Sequence, residues 1–198
     1  MKAQRILTEA ALLFFVAAST LNPLSVGAAD FTFRPGELVL APDDWQNTGS
    51  ATEWSIQPPF IIHRESDRES ALVLRHSIPA YFEITCEMVL DNVGRSDGKG
   101  IKLRTANASF AIAIDDDYPL GIYNVAAGKY RTQDVSLRLR TRHSYRCCFR
   151  VAPKTLTATV DSKTISTQWD ATPPFTLSFF AQRGGYKVKS IKITEIKK

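Results

Sequence analysis

Apolar and polar side chains alternate almost without error over residues 81–90, YFEITCEMVL. Because successive side chains on a β-strand leave opposite faces of the sheet, one face of this segment is apolar and the other is polar. The segment predicts a strand with one face on a core and one face in water. The apolar face comprises Phe82, Ile84, Cys86, Met88 and Leu90, and the polar face comprises Glu83, Thr85 and Glu87.

Short runs of the same kind recur along the chain, separated by turn signals such as Pro58-Pro59 and Gly184-Gly185. Many short strands without a helical period between them predict an all-β sandwich or barrel. No repeat or linker divides the chain, so we expect one domain over residues 30–198. The other predicted strands cover residues 36–40, 53–57, 60–63, 71–75, 100–104, 109–114, 135–140, 144–151, 155–160, 163–167, 175–181 and 188–196.

The N-terminal segment has the layout of a secretory signal peptide. Lys2 and Arg5 precede the apolar run AALLFFVAA at residues 10–18, and small residues follow at 26–30. We therefore predict a signal peptide over residues 1–29 and a secreted or periplasmic protein. The apolar run is too short to span a bilayer, and no later stretch approaches that length, so the chain is expected not to span a membrane.

The charge balance argues against nucleic acid as a partner. The whole chain has a formal charge of +5, and removing the signal segment, with Lys2, Arg5 and Glu9, lowers this to +4. A nucleic-acid binder normally has a denser basic stripe. Oligomeric state has no signal in the sequence.

Three cysteines are too few for a disulfide scaffold. Strand phase places Cys86 and Cys147 on apolar faces and Cys148 on a polar face, beside Arg146 and Arg150. The first two are therefore either buried thiols or one bridge across the core. We favour buried thiols, because a free cysteine behaves as a small hydrophobic residue.

The order of elements in the C-terminal half resembles a known superfamily. Residues 143–167, HSYRCCFRVAPKTLTATVDSKTIST, and residues 173–196, PPFTLSFFAQRGGYKVKSIKITEI, are similar to the closing meander of concanavalin A-like lectin/glucanase jelly rolls. Upstream, YFEITCEMVL followed by GKGIKLRT resembles paired strands of secreted 3-keto-disaccharide hydrolase-type or laminin-G-like domains. The resemblance covers residues 36–196 and implies a two-sheet antiparallel jelly-roll sandwich. Ser162 stands where the turn glycine is usual.

In laminarinase-type glucanases of this superfamily, two glutamates on an acidic strand serve as nucleophile and general acid. Such retaining chemistry needs carboxyl groups ~5–5.5 Å apart, whereas positions i and i+4 of a regular strand are ~13 Å apart at Cα. In this chain Thr85 replaces the central acid. We therefore assign no catalytic residue, and name Glu83 and Glu87 as the candidates should hydrolysis occur. They are otherwise sugar ligands or surface acids paired with basic neighbours.

Arginines form the second group of candidate ligand residues. In VSLRLRTR, residues 135–142, Arg138 and Arg140 fall on the polar face of the predicted strand, and Arg146 falls on the polar face of the next one. A hairpin would join them into a basic patch, which an acidic strand or an anionic ligand should compensate, because opposed like charges are unfavourable. The patch is either a salt-bridged surface or a site for an anionic polysaccharide. Arg104, at the end of GIKLR, is a further candidate.

The acidic cluster Asp115, Asp116 and Asp117 is the candidate metal site, because Ca²⁺ prefers carboxylate and carbonyl oxygens. The other interpretation is a hydrated turn. We assign no metal and no cofactor, with structural calcium as the candidate ion. The preceding strand carries Ala111 and Ala113 where related hydrolase-like domains have polar residues, which argues against hydrolysis.

Sugars present apolar C–H faces that stack on aromatic rings. The rings in or beside predicted loops, and therefore candidates for such stacking, are Trp45, Tyr118, Tyr123, Tyr130 and Tyr186. Trp54 and Trp169 are expected to pack in the core or at its edge.

We conclude from the sequence that the chain is an exported, non-catalytic carbohydrate-binding or matrix-interaction module whose partner is an oligo- or polysaccharide. The second interpretation is a glycoside hydrolase of the 3-keto-disaccharide or glucanase type, and the third is a structural envelope protein. No serine-hydrolase elbow, metalloprotease helix or phosphate-binding loop is present.

Overall fold

The computed structural model describes residues 36–37, 42–50, 52–92, 98–114 and 119–196. The chain divides into two compact units, Met1–Phe31 and Thr32–Lys198, and every described residue belongs to the second. The predicted signal peptide lies outside the described residues. Within the described ranges, no helix is long and apolar enough to cross a membrane.

The described chain is almost entirely β, as the sequence predicts, with a short 3₁₀ turn at Pro42–Asp44. The strands are β1 (Gly36–Glu37), β2 (Trp45–Asn47), β3 (Trp54–Gln57), β4 (Phe60–His63), β5 (Ser70–Leu74), β6 (Phe82–Leu90), β7 (Lys99–Arg104), β8 (Ser109–Ile114), β9 (Leu120–Asn124), β10 (Lys129–Asp134), β11 (Ser144–Ala152), β12 (Thr155–Val160), β13 (Lys163–Gln168), β14 (Thr176–Ala181) and β15 (Tyr186–Glu195).

The strands form two antiparallel sheets. One is eight-stranded, in the order β13-β12-β11-β6-β15-β4-β3 with β1 also pairing with β15, and the other is seven-stranded, in the order β10-β9-β8-β7-β14-β5-β2. The apolar faces of both sheets supply one large buried cluster, to which β6 contributes every second residue. Phe82 and Phe149 are fully buried in it. The alternation read from residues 81–90 is therefore confirmed.

The predicted strand at residues 135–140 is wrong. This segment is coil, and the hydroxyl of Tyr145 both accepts a hydrogen bond from the Arg140 N–H and donates one to the Arg140 carbonyl oxygen. These bonds satisfy backbone groups that a strand would have paired, and Leu137 alone of the segment is buried. The expected arginine hairpin is consequently absent from the described chain, since β11 pairs with β6 and β12 instead.

Two strands that the sequence did not predict, β9 and β10, complete the edge of the seven-stranded sheet. A register shift between Tyr130 and Thr132 leaves Arg131 at a β-bulge in β10. At the β12–β13 turn, Asp161 has a φ of 52°, so this residue, rather than Ser162, takes the left-handed conformation that favours glycine.

Candidate functional site

The predicted ligand residues lie in several separate places. Glu83, Glu87 and Arg146 lie on the outer face of the eight-stranded sheet, whereas Arg104 and Tyr123 lie on the seven-stranded sheet. Arg138 and Arg140 are exposed in the coil before β11. The remaining candidates, Tyr118 and the cluster Asp115, Asp116 and Asp117, lie outside the described residues. The structure does not bring the described candidates together into one site.

Basic residues neutralise the two glutamates on β6. The antiparallel register places Arg150 opposite Glu83 and Arg146 opposite Glu87. Arg150 Nη1 lies 3.3 Å from Glu83 Oε2, and Lys189 Nζ lies 3.1 Å from Glu87 Oε2. An acidic strand therefore lies beside the arginines of β11, which is one of the two kinds of compensation that the sequence predicted.

The environment of Glu87 is the reverse of what a general acid requires. Its carboxylate accepts hydrogen bonds from Lys189 and, at 3.0 Å, from the Ser144 hydroxyl. The bond from Lys189 is the larger cause, and together they lower the pKa of Glu87. A general acid in glycoside hydrolysis needs a raised pKa, so this carboxylate is poorly suited to donate a proton.

The outer face of the β9–β10 hairpin carries an aromatic pair. The rings of Tyr123 and Tyr130 meet edge to face, with centroids 5.2 Å apart and planes at 70°. Tyr130 lies over Gly121, where an added Cβ would come 2.4 Å from its ring carbon Cε1. The absence of a side chain at residue 121 therefore allows the ring to lie close to the sheet. Trp45 and Tyr186, also predicted as loop rings, are instead buried in the core.

Beside the tyrosines, the outer face of the seven-stranded sheet is apolar. Ala111, Ala113 and Phe180 form a second buried cluster, separate from the main core. Lys102 Nζ lies 4.7 Å from the centroid of the Phe180 ring and pairs with Glu69. Lys102 is therefore held between a carboxylate and an aromatic ring on this face.

A more open site lies at one end of the sandwich. Two depressions of about 700 and 490 Å³ share four lining residues, and we call them together the end cleft. Both volumes are within the range of ordinary ligand sites. The larger depression is lined by Asn107, Ala108, Ser109, Phe110, Asn124, Ala126, Arg131, Lys154, Thr155, Gln168, Trp169 and Asp170, and the smaller one adds Ser77, Arg104, Thr105, Ala106, Pro174 and Thr176.

Turns and strand ends from both sheets build the end cleft. In the β7–β8 turn, the Thr105 N–H donates to the Ala108 carbonyl oxygen at 2.8 Å, and Asn107 Nδ2 donates to the Asp170 carbonyl oxygen at 3.3 Å. The second bond connects the seven-stranded sheet to the segment after β13. Trp169 lines the larger depression, and its indole N–H donates a hydrogen bond to the Ala152 carbonyl oxygen at 3.1 Å, which holds the ring in place.

Trp169 is also held by aromatic neighbours. It stacks on Phe175 with centroids 5.7 Å apart and meets Phe110 edge to face at 5.6 Å. It is 5% exposed, as expected for packing at the edge of the core. Because Trp169 lines the larger depression, its fluorescence should change when a ligand enters the end cleft.

The lining chemistry of the end cleft suits recognition by hydrogen bonds. Amide side chains at residues 107, 124 and 168 and hydroxyl side chains at residues 109 and 155 can each exchange hydrogen bonds with hydroxyl groups. Among the described residues, Asp170 is the single carboxylic acid that lines the cleft.

Arg104 is the one ligand candidate predicted from the sequence that lines the end cleft. The other polar lining residues come from turns and strand ends that are far apart in the chain, and no motif links Asn107 to Gln168. Among the described residues, no group of three or more His, Cys, Asp and Glu side chains could hold a metal ion.

No family model matches the chain, and no curated protein matches it. Several solved structures do match the chain. The chain matches carbohydrate-binding module CBM66 from Bacillus subtilis with a TM-score of 0.58 and 10% identity, over 77% of this chain and 96% of that one. It matches the VIP36 exoplasmic/lumenal domain, in the Ca²⁺/Man3GlcNAc-bound form, with a TM-score of 0.61 and 13% identity, over 80% and 86%.

A third match is a structure described with endo-acting O-glycanases of the human gut microbiota, with a TM-score of 0.56 and 10% identity over 77% and 92% of the two chains. The chain therefore shares the two-sheet jelly-roll sandwich fold of these structures, as the sequence predicts. At identities of 10 to 13%, the likeness concerns the fold alone.

Proposed function

We propose that this chain is an exported, non-catalytic carbohydrate-binding module that takes an oligo- or polysaccharide in the end cleft. The observation that carries the proposal is the lining of that cleft, which combines amide and hydroxyl side chains with one carboxylic acid. A sugar presents many hydroxyl groups that both donate and accept hydrogen bonds, and such side chains match both roles. The carbohydrate-binding and lectin domains that share the fold support the same class of ligand.

The aromatic pair extends this proposal beyond the end cleft. Tyr123 immediately precedes Asn124, which lines the larger depression, and Tyr130 immediately precedes Arg131, which also lines it. The register places Tyr123 beside Ala111 on the outer face of the sheet and Asn124 beside Phe110 on the inner one, so a chain of sugars would pass around the end of β9 from the cleft to the tyrosine rings. Arg104 and Tyr123 are thus the predicted ligand residues that we retain for this site. Arg138, Arg140 and Arg146 stay predictions for an anionic polysaccharide bound elsewhere, and Glu83 and Glu87 stay predictions for contacts with sugar hydroxyl groups.

The alternative is a glycoside hydrolase. The structure described with endo-acting O-glycanases, which shares the fold, supports this alternative. The lowered pKa of Glu87 and the single carboxyl group of the end cleft favour binding over hydrolysis. A structural envelope protein is the third candidate, and it requires no glycan ligand at all. Export follows from the predicted signal peptide, and structural calcium stays a candidate at residues 115–117.

A glycan array probed with residues 30–198, with and without Ca²⁺, tests the proposal. We expect binding to at least one class of oligosaccharide and no hydrolysis of the bound glycans. Trp169 fluorescence should change as the ligand is titrated, and a Trp169→Phe variant should lose that change. Release of shortened products would support the hydrolase, and an array without bound glycans would favour the structural role.

Gln168→Ala tests whether the end cleft is the site. The Gln168 side chain is exposed and lines the larger depression, so we expect roughly a fivefold loss of affinity for one lost hydrogen bond. Gln133→Ala is the matched control, because Gln133 is equally exposed on β10 and does not line the cleft. Equal affinities for both variants and the unmodified protein would move the site elsewhere.

A further inference from the structure

Three cations line the end cleft. Arg104 lines the smaller depression, and Arg131 and Lys154 line the larger one. Among the described residues, none of the three side chains forms an ion pair. Asp170 is the single acid among the described lining residues, so these four side chains carry a net charge of +2.

Several cations elsewhere on the two sheets form ion pairs. Lys102 pairs with Glu69 and Arg150 with Glu83, and Lys187 and Lys189 of β15 pair with Asp91 and Glu87. Others, such as Arg146 and Lys192, form none among the described residues. What distinguishes the end cleft is that three such cations line it together with one described acid, Asp170, which leaves a local positive charge that a bound anion would neutralise.

The backbone carries two of the three cations in unusual positions. Lys154 has a φ of 61° in the two-residue turn between β11 and β12, at a position after Pro153 where glycine is least strained. Arg131 sits at the bulge of β10, and bulges redirect side chains. Both features accompany a long cationic side chain that lines the larger depression.

We infer that the end cleft recognises an acidic oligosaccharide, one whose sugars carry carboxylate or sulfate groups. This inference rests on the proposed function and specifies its class of ligand. Arg104 and Arg131 can pair with a carboxylate or sulfate through two parallel hydrogen bonds, and Lys154 contributes a point charge. The amides and hydroxyls of the lining then bind the neutral hydroxyl groups between the charged ones.

Matched ligand pairs test the inference. One pair is a galacturonate trisaccharide and its fully methyl-esterified form, and the other is a sulfated galactan tetrasaccharide and its desulfated form. Isothermal titration should show at least about tenfold tighter binding of one acidic form than of its neutral partner. That preference should weaken as ionic strength rises, because salt screens exposed charges. The two pairs distinguish a carboxylate ligand from a sulfate ligand.

Lys154→Gly and Arg142→Gly form a matched pair of variants. Both residues are exposed cations with a φ of 61°, and Lys154 lines the cleft whereas Arg142 does not. Each substitution removes one positive charge and relieves one strained backbone position, so neither should lower the melting temperature. We expect Lys154→Gly to lose about three- to tenfold in affinity for the acidic ligand and Arg142→Gly to lose none.

Each outcome has a defined meaning. Equal binding of the acidic and neutral partners would overturn the inference and leave the proposed function standing. Equal losses in the two glycine variants would mean that overall charge attracts the ligand, which also overturns it. A preference that survives Lys154→Gly and disappears in Arg138→Ala/Arg140→Ala would assign the acidic ligand to the other surface. Failure of the whole glycan array would overturn both proposals.

Discussion

Cys86 and Cys147 lie directly opposite each other in the antiparallel register of β6 and β11, and both thiols are free and buried. A hydrogen bond between the two side chains, followed by burial, raises the pKa of Cys147 well above its usual value. Cys148 is half-buried on the other face, and burial raises its pKa to about 11. Because the thiolate is the reactive form, Cys147 and Cys148 should be poor nucleophiles at neutral pH, and burial shields Cys86 from reagents.

We predict that iodoacetamide at pH 8 modifies Cys148 on the order of 10²-fold more slowly than a small unhindered thiol, since so little thiolate is present. Cys86 and Cys147 should stay unmodified while the fold persists. Intact-mass measurements over time provide the test, and the same reaction in denaturant, where all three should react, is the control. Rapid modification of Cys147 in the folded protein would contradict its burial.

Glu87 predicts a pH dependence of stability. Its folded-state pKa is lowered from 4.5, chiefly by the hydrogen bond from Lys189, so its stabilising contribution is present above pH 4.5 and is lost as pH falls through the lowered pKa. Glu87→Gln should therefore be slightly less stable than the unmodified protein at pH 7. The difference should shrink in acid. Melting temperatures from pH 7 to pH 3 measure it, and a constant difference across that range would contradict the ion pair.

His63 predicts a second pH dependence, in a different range. It is fully buried, its Nδ1 lies 2.9 Å from the Gly184 carbonyl oxygen, and its Nε2 lies 3.1 Å from the Ser70 hydroxyl. Burial is the largest of the causes that lower its pKa from 6.5. The unfolded chain then binds a proton more readily, so stability should decline as pH falls through 6.5.

Urea unfolding from pH 7.5 to pH 5 tests this decline. His63→Asn should flatten the slope of stability against pH, whereas His143→Asn, at an exposed position, should keep it. Should His63→Asn fail to fold, NMR titration of the histidine rings in the unmodified protein provides the same test. A His63 pKa at or above 6.5 would contradict the prediction.

Gly121 and Tyr130 predict a coupled pair of substitutions. Gly121→Ala would place a methyl group 2.4 Å from Cε1 of Tyr130, and such overpacking costs about 1–3 kcal/mol. Tyr130→Ala removes the ring, so the double variant should be more stable than the sum of the two single changes predicts. Denaturant unfolding of the four proteins measures the coupling, and strictly additive effects would mean that the ring does not lie over Gly121.

The strands that the sequence predicts well are those with one face buried in the core and the other face exposed to solvent. Residues 82–90 meet that condition, and their alternation identified both the strand and its orientation. β10 does not, because Lys129–Asp134 forms an edge strand with no fully buried residue, and its sequence, KYRTQD, gives no apolar period. Residues 135–140 alternate as a strand would. However, the hydroxyl of Tyr145 forms hydrogen bonds with the N–H and the carbonyl oxygen of Arg140, so these two groups do not pair with a neighbouring strand.

The end cleft was less predictable than the fold. Its polar residues lie on turns and strand ends, where no periodic pattern exists, and Asn107 reaches Asp170 only because the two sheets meet there. Lys154 lies between the predicted strands 144–151 and 155–160, but its positive φ depends on the hairpin register. Charge pairing was predictable only in part, because alternation places Glu83 and Arg150 on polar strand faces but does not fix the register that sets them opposite each other.

The positions of β14 and β15 have a consequence for how the protein is made. In the seven-stranded sheet β14 separates β7 from β5, and in the eight-stranded sheet β15 separates β6 from β4. Neither sheet can close until residues 176–195 have been synthesised, so a nascent chain that lacks them exposes four unpaired strand edges. Such a chain cannot fold as it leaves the ribosome and needs protection from aggregation until then. In the exported protein that we propose, the same delay would keep the chain unfolded until it is secreted.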